Sequence, residues 1–243
     1  MNIEDYLSDK ENRPIALASM CLDPIHHGHL KIASEMLRLL DLSELRFIPC
    51  ALPSHKNLPS VSATDRAAML ELAIEDESRF LCDRREINRS GPSFTIDTLA
   101  EIRQELGPHL SLIFLMGSDS LCTIDTWKQW RKLLTYTHLC IVERPGASVE
   151  FPSDIWRWVK RHRVSDPRYM NSTPNGYIFI TVANALEISA TEVRRQLSSG
   201  LPLANRILPH SVLDFVKQNN LYIKKINDEN RESSCGKEPT SSP

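Results

Sequence analysis

The sequence predicts an α/β protein built on a doubly wound, mostly parallel sheet with helices on both faces. Short apolar runs alternate with longer stretches of helical periodicity along most of the 243 residues. One run, SLIFLMG at 111–117, is apolar without interruption, as in a strand covered by helices on both sides. In such folds ligands collect at the carboxyl ends of the strands.

Taken in order, PIALASM (14–20) reads as a strand. The stretch 28–41 reads as a helix with Leu30, Ala33, Met36, Leu37 and Leu40 on one face. ELRFIPC (44–50) is the second strand, and 62–76 is a helix opened by a capping serine or threonine. FLCDRREI (80–87) reads as a third strand, followed by a helix over 94–106 that stops at Gly107-Pro108. Beyond the 111–117 strand come a helix over 126–137, strands over 138–144 and 177–182, and helices over 189–200 and 209–220. Residues 145–176 hold Pro145, Pro152, Pro167 and Pro174 and read as an excursion from the main sheet. The expected organisation is an N-terminal extension (1–13), a single domain (14–224) and a polar tail (225–243) expected to be disordered.

Composition excludes some classes. Hydrophobic residues at 41% and charged residues at 25% suit a globular protein, and a net charge of -2 gives no electrostatic case for a nucleic-acid partner. The basic stretch WRWVKRHRVSDPR (156–168) reads as a solvated face with aromatic anchors. No run of apolar residues is long enough to span a membrane, and the acidic N-terminus lacks the layout of a secretion signal. The six cysteines, at 21, 50, 82, 122, 140 and 235, form no CxxC pair; they read as reduced thiols of a cytoplasmic protein. Monomer and homo-oligomer both stay open.

The densest chemistry lies in CLDPIHHGHL (21–30), where a strand end, a turn at Asp23-Pro24 and a helix start meet. Helix N-termini attract anions, and Gly28 lets a ligand approach the backbone. His26 and His29 flank Gly28 and are expected to face one pocket, with His27 turned to solvent. Zinc is the rival ligand, but no third ligand stands at helical spacing. Phosphate is the better reading. Familiar nucleotide motifs are absent: no two of the eight glycines are spaced GxG, and the one Gly-Lys pair, 236–237, is in the tail. A second candidate anion site is ISATEVRRQL (188–197), where Ser189 and Thr191 offer hydroxyls and amides at a helix start. Arg194 on the second turn can fork onto phosphate oxygens. Read alone, this stretch is first a capped amphipathic helix with solvated Arg194 and Arg195.

Asp23-Pro-Ile-His-His-Gly-His29 resembles the D-P-x-H-x-G-H signature of the nucleotidyltransferase superfamily. RFIPCALPSHK (46–56), DRAAMLELAI (65–74), GPSFTIDTL (91–99), LMGSDSL (115–121), TWKQW (126–130), ERPG (143–146) and LEISATEVR (186–194) follow in an order similar to that of bacterial nicotinate-nucleotide adenylyltransferases. The resemblance implies a Rossmann-like nucleotidyltransferase (HUP) fold. It implies transfer of AMP from ATP to nicotinate mononucleotide, giving deamido-NAD and pyrophosphate in NAD biosynthesis. It assigns His26, His29 and Arg194 to catalysis on the ATP phosphates, joined by Ser189 and Thr191. Gly117 and Asp119 are assigned to the adenosine. For the acceptor nucleotide it implies Trp127 stacked on the pyridine ring, Ser93 and Thr95 near its carboxylate, and Met20, His55, Lys56 and Arg144 around the mononucleotide. Mg²⁺ is expected to arrive with ATP, without protein side-chain ligands. Trp130 is expected in the core and Arg195 in solvent.

The pattern breaks at one place. The family reads G-G-T/S-F where this chain has Ser19-Met20-Cys21-Leu22. Met20 puts a flexible apolar side chain where the substrates should meet. Two alternatives therefore stand: a relative of the pantetheine-phosphate type, and a nucleotide-binding protein with weakened or lost catalysis.

Overall fold

The structure, a computed structural model, describes residues 13–51, 59–143, 145, 151–184, 186, 188–199 and 207–223. Most of the expected N-terminal extension and the whole expected tail lie outside the described residues. Among the described residues seven strands form one sheet: β1 (Ile15–Met20), β2 (Glu44–Pro49), β3 (Phe80–Cys82), β4 (Leu112–Gly117), β5 (His138–Glu143), β6 (Arg163–Val164) and β7 (Ile178–Val182). Their order is β3-β2-β1-β4-β5-β7-β6, and every pairing is parallel.

Helices cover both faces, as the apolar runs require. Side chains along a strand alternate between faces, so a strand buried on both sides must be apolar throughout. In β4, Ile113 and Leu115 enter one core, while Leu112, Phe114 and Met116 enter the other. The first core is closed by α1 (His27–Leu39), α2 (Ala63–Ile74), α8 (Ala190–Ser198) and α9 (His210–Gln218), which contribute Met36, Leu70, Val193 and Val212. The second is closed by α4 (Thr95–Leu106) and α6 (Ser153–His162), through Leu99, Ile102, Ile155 and Val159. The capping serine expected at 62–76 is Ser62, whose hydroxyl accepts from the Asp65 amide at 3.0 Å. No helix among the described residues is long and apolar enough to cross a membrane.

Three elements differ from expectation. The strand expected over 80–87 ends at Cys82, and Arg85–Asn88 form a single helical turn, α3. Asp83 causes the break: its carboxylate accepts from the Arg85 amide at 3.0 Å and from Arg85 Nε at 2.8 Å, a local turn that competes with the ladder. The helix expected over 126–137 is two 3₁₀ segments, Ile124–Thr126 and Trp130–Thr135, separated by Gln129 in the left-handed region (φ 51°). Thr126 and Thr135 each donate a hydroxyl hydrogen bond to the carbonyl three residues back, which favours the tighter winding. Residues 145–176 are no excursion. They supply α6, the short α7 (Arg168–Asn171) and the edge strand β6, which pairs with β7 at Arg163↔Ile178 and Val164↔Phe179. Two of their four prolines, Pro152 and Pro167, fall just before helices, where a missing amide costs nothing.

The amino ends of the strands are stitched by Arg103. Its guanidinium donates to the carbonyls of Gly107 and Leu110 ahead of β4, Tyr136 ahead of β5 and Pro174 ahead of β7. Beside it, His138 is fully buried at the start of β5. Its Nε2 lies 2.8 Å from the Thr173 carbonyl, and its Nδ1 accepts from the Tyr177 amide at 3.0 Å. That arrangement requires the neutral Nε2–H tautomer. Burial, which penalises the charged ring, lowers the His138 pKa to about 4.

An unfolded histidine titrates near 6.5, so between about pH 6.5 and 4 the unfolded chain binds the extra proton. The stability is fully present above pH 6.5 and is lost as pH falls toward 4. Denaturant unfolding at pH 7 and pH 4.5 should differ by about 2–3 kcal/mol more in the natural protein than in a His138→Gln variant.

Candidate active site

The site follows from where two strands part. β1 pairs with β2 along its whole length, but with β4 only from Ile15↔Leu112 to Leu17↔Phe114. Beyond that point the carboxyl ends diverge, at the position in the sheet where the strand order reverses. A cavity of about 700 Å³ opens there. Ser19, Met20, Cys21 and Asp23 line it from β1 and the turn after it, and His29 from α1. Met116, Gly117 and Asp119 line it from β4 and α5 (Ser118–Cys122), with Trp127 next in the chain and Arg194 from α8.

The histidine pair divides its work. α1 begins at His27, with His26 as its extended N-cap residue (φ -147°). The His26 ring is buried at 5% exposure and stacks on His29, with centroids 3.7 Å apart and planes 22° from parallel. The His26 amide donates to His29 Nδ1 at 3.3 Å. The two imidazoles were expected to face one pocket. His29 lines the cavity, and His26 braces it from behind. Gly28 makes the stack possible, because a Cβ there would sit 2.9 Å from His26 Nδ1. His27 lies away from the cavity, on an outer groove with Leu30 and Lys31.

The second helix start comes to the first. Arg194 donates through Nη1 to the Asp23 carbonyl at 2.6 Å and through Nη2 to Thr191 Oγ1 at 3.2 Å. It is therefore turned inward. Arg195 pairs with Glu192 at 2.6 Å on the exposed face, the solvated role expected of it. Ser189 is the N-cap residue of α8 without a side-chain cap bond, and neither it nor Thr191 lines the cavity, although Ala190 between them does.

The remaining candidates divide. At Gly117 a Cβ would lie 3.3 Å from Asp119 Oδ1, so the glycine leaves room for the carboxylate to fold back over the strand end. Trp127 stands edge-on to Phe114 (6.4 Å, 82°) and lines the cavity, whereas Trp130 is core at 6% exposure. Met20 is half-buried in the wall. Ser93 and Thr95 stand outside the wall, at the start of α4; Ser93 Oγ is buried with no protein partner among the described residues. Lys128, beside Trp127, bonds Asp97 at 2.8 Å and sits 4.8 Å over the Phe94 ring, joining that helix start to the Trp127 segment. His55, Lys56 and Arg144 lie outside the described residues. Among the described residues no group of three or more His, Cys, Asp or Glu could hold a metal ion.

Two residues given no role by the sequence organise the site. Asp23, 5% exposed, accepts from Tyr222 Oη and from the Ser60 amide, each at 2.8 Å, while its carbonyl takes Arg194. Burial, with Asp23 alongside, pushes the Tyr222 phenol upward. Arg66 is fully buried and clamps the strand ends: Nη1 donates to the Cys21 carbonyl and Nη2 to the Cys50 carbonyl, both at 2.6 Å. Its signal was legible, since Arg66 shares a helix face with the buried Met69 and Leu70. Arg66→Met should cost about 3–5 kcal/mol in denaturant unfolding, because two charge-assisted bonds vanish and leave buried carbonyls unmatched.

A family model described as cytidylyltransferase-like matches residues 21–196. Probable nicotinate-nucleotide adenylyltransferases of Marinomonas sp. (strain MWYL1) and Aeromonas salmonicida (strain A449) are 36% and 39% identical to this chain, each over 86% of it and over 94% and 97% of their own lengths. A solved structure of Plasmodium falciparum nicotinic acid mononucleotide adenylyltransferase complexed with NaAD superimposes over 86% of this chain and 97% of that one, with a TM-score of 0.66 at 20% identity. That likeness bears on the fold. The chain belongs to the cytidylyltransferase-like family, within its group of nicotinate-nucleotide adenylyltransferases.

Proposed function

We propose that the protein transfers AMP from ATP to nicotinate mononucleotide, releasing pyrophosphate and deamido-NAD, with the described cavity as the active site. The observation that carries this is the meeting of His29, from the first turn of one helix, and Arg194, from the second turn of another, on one cavity that also holds Gly117 and Asp119. The 36–39% identical relatives favour this acceptor over one of the pantetheine-phosphate type. The five cysteines among the described residues are reduced thiols, which suits a cytoplasmic site of action.

The acceptor phosphate is a monoester with a second pKa of about 6, so it is already ionised near neutral pH. One of its oxygens attacks the α-phosphorus of ATP; a new P–O bond forms, the bond to the β-phosphate bridge breaks, and pyrophosphate leaves. No side-chain nucleophile is needed. The protein's contribution is position and charge. Arg194, held by Asp23 and Thr191, presents a preorganised guanidinium to the phosphates, with Ser189 beside it. His29, stacked on His26, donates from the other side. Asp119 accepts from ribose hydroxyls, and Gly117 lets the adenosine approach the strand end. Trp127 offers its indole face to the pyridine ring, with Met20 between the substrates. Ser93 and Thr95 serve the nicotinate carboxylate, and His55, Lys56 and Arg144 the mononucleotide. Mg²⁺ prefers oxygen donors and substrate phosphates; in this reading it arrives on ATP without protein side-chain ligands and neutralises its charge. The cavity keeps about 700 Å³ with Met20 in its wall, within the ordinary range for small-molecule sites, so the methionine does not fill it.

Pyrophosphate release from ATP and Mg²⁺ should be faster with nicotinate mononucleotide than with its amide. A preference for the amide, or ATP binding without release, would overturn the reading. His29→Ala should lower kcat about 10²–10³-fold with a nearly unchanged thermal midpoint. Gly28→Ala should lower kcat/KM by about 10²-fold, because the added methyl displaces the His26 ring and with it the stacked His29.

A further inference from the structure

Parallel pairing brings together two cysteines far apart in the chain. β1 and β2 stay in register to Met20↔Pro49, and the Cys50 amide donates to the Met20 carbonyl at 3.1 Å. The ladder thus continues one step past both strands and sets Cys21 beside Cys50. Neighbouring strands lie about 4.8 Å apart, inside the roughly 4.4–6.8 Å that a disulfide spans between Cα atoms. Arg66 holds the two backbones side by side through their carbonyls. The thiols themselves hydrogen-bond each other. Both residues are half-buried, and Cys21 lines the cavity. By contrast, Cys140 is fully buried in the first core.

We propose that Cys21 and Cys50 form a dithiol site that reacts with a small disulfide of the oxidised-glutathione class and closes to an intramolecular disulfide. The Cys21 thiol, open to the cavity, loses its proton to solvent and attacks one sulfur of the oxidant. The oxidant's S–S bond breaks, and one glutathione leaves as a thiolate that takes up a proton. Cys50 then loses its proton and attacks the Cys21 sulfur of the mixed disulfide, expelling the second glutathione. Two protein thiols are oxidised by two electrons, and one oxidised glutathione is reduced to two thiols. The order follows from the surroundings. Cys21 lines the cavity and Cys50 does not, so Cys21 is the thiol that meets the oxidant. The hydrogen bond with Cys21 and burial push the Cys50 thiol up, against the opposing Arg66 cation, keeping Cys50 protonated until the mixed disulfide reaches it. Its attack is intramolecular, where proximity compensates. Closing the bond ties together the two strand ends next to Ser19 and Met20, so the cavity wall changes with the redox state of the pair. The step uses none of the adenylyl-transfer chemistry, and its outcome is independent of that assignment.

The test is incubation of the full chain with oxidised glutathione, alkylation of the remaining thiols, proteolysis and peptide mass mapping. The expected product is a peptide pair joined through Cys21 and Cys50 with a mass loss of two hydrogens, reversed by dithiothreitol. A Cys50→Ser variant should stop at one glutathione on Cys21. Alkylation of both cysteines in the treated natural protein would overturn the proposal. So would a glutathione adduct that persists on Cys21 there, or linkage of either residue to another cysteine. If the variant fails to fold, the linkage map of the natural chain and its reversal decide the matter alone.

Discussion

The Asp23 side chain is almost wholly removed from water, and the active-site cavity is assembled around the hydrogen bonds it accepts. A buried carboxylate costs several kcal/mol unless donors surround it. Here they come from stretches far apart: the Tyr222 hydroxyl beyond the last helix, the Ser60 amide ahead of α2, and, on the neighbouring carbonyl, the Arg194 guanidinium of α8. Each donor fixes one wall of the cavity relative to the turn that launches α1. Only when all have arrived do the two helix beginnings point at the same volume. Tertiary folding, not local propensity, builds the proposed phosphate site.

The other constraint is topological. Because the strand order reverses between β1 and β4, their carboxyl ends separate after Leu17 and Phe114 and leave a crevice that no side chain fills completely. Ser19 and Met20 stand where the resemblance implies glycines. Both belong to a regular strand, and neither has a positive φ. The glycines' dihedral freedom is therefore not needed at these positions, and the substitution matters only through the space it occupies. Met20 meets that demand with an unbranched, adaptable side chain lying in the wall.

Much of this was legible in the sequence. The apolar runs that alternate with helical periodicity located five of the strands nearly residue for residue and the start of β3, and the uninterrupted run at 111–117 is explained by two cores meeting across β4. His29, Arg194, Gly117, Asp119, Met20 and Trp127 do come together on one cavity. What escaped was settled by contacts remote in sequence or too short to show a period. β6 has two residues and owes its existence to β7. Threonine hydroxyls, not apolar spacing, decide the 3₁₀ winding on either side of Gln129. The retreat of His26 behind His29 follows from the space over Gly28, which no residue pattern discloses. Cys21 and Cys50, unremarkable by spacing, became neighbours through strand register alone.

Two arginines hold the sheet from opposite ends. Arg66 gathers carbonyls just past β1 and β2, and Arg103 gathers carbonyls just ahead of β4, β5 and β7. Neither is matched with a carboxylate in these bonds; each positive charge is balanced by the negative ends of peptide dipoles, a geometry that suits a planar fork and not a lysine. The chemistry is thereby uncoupled from the foundation. Loops around the catalytic rim can drift toward another acceptor over evolutionary time, while the opposite pole, far from any substrate, keeps the layers registered.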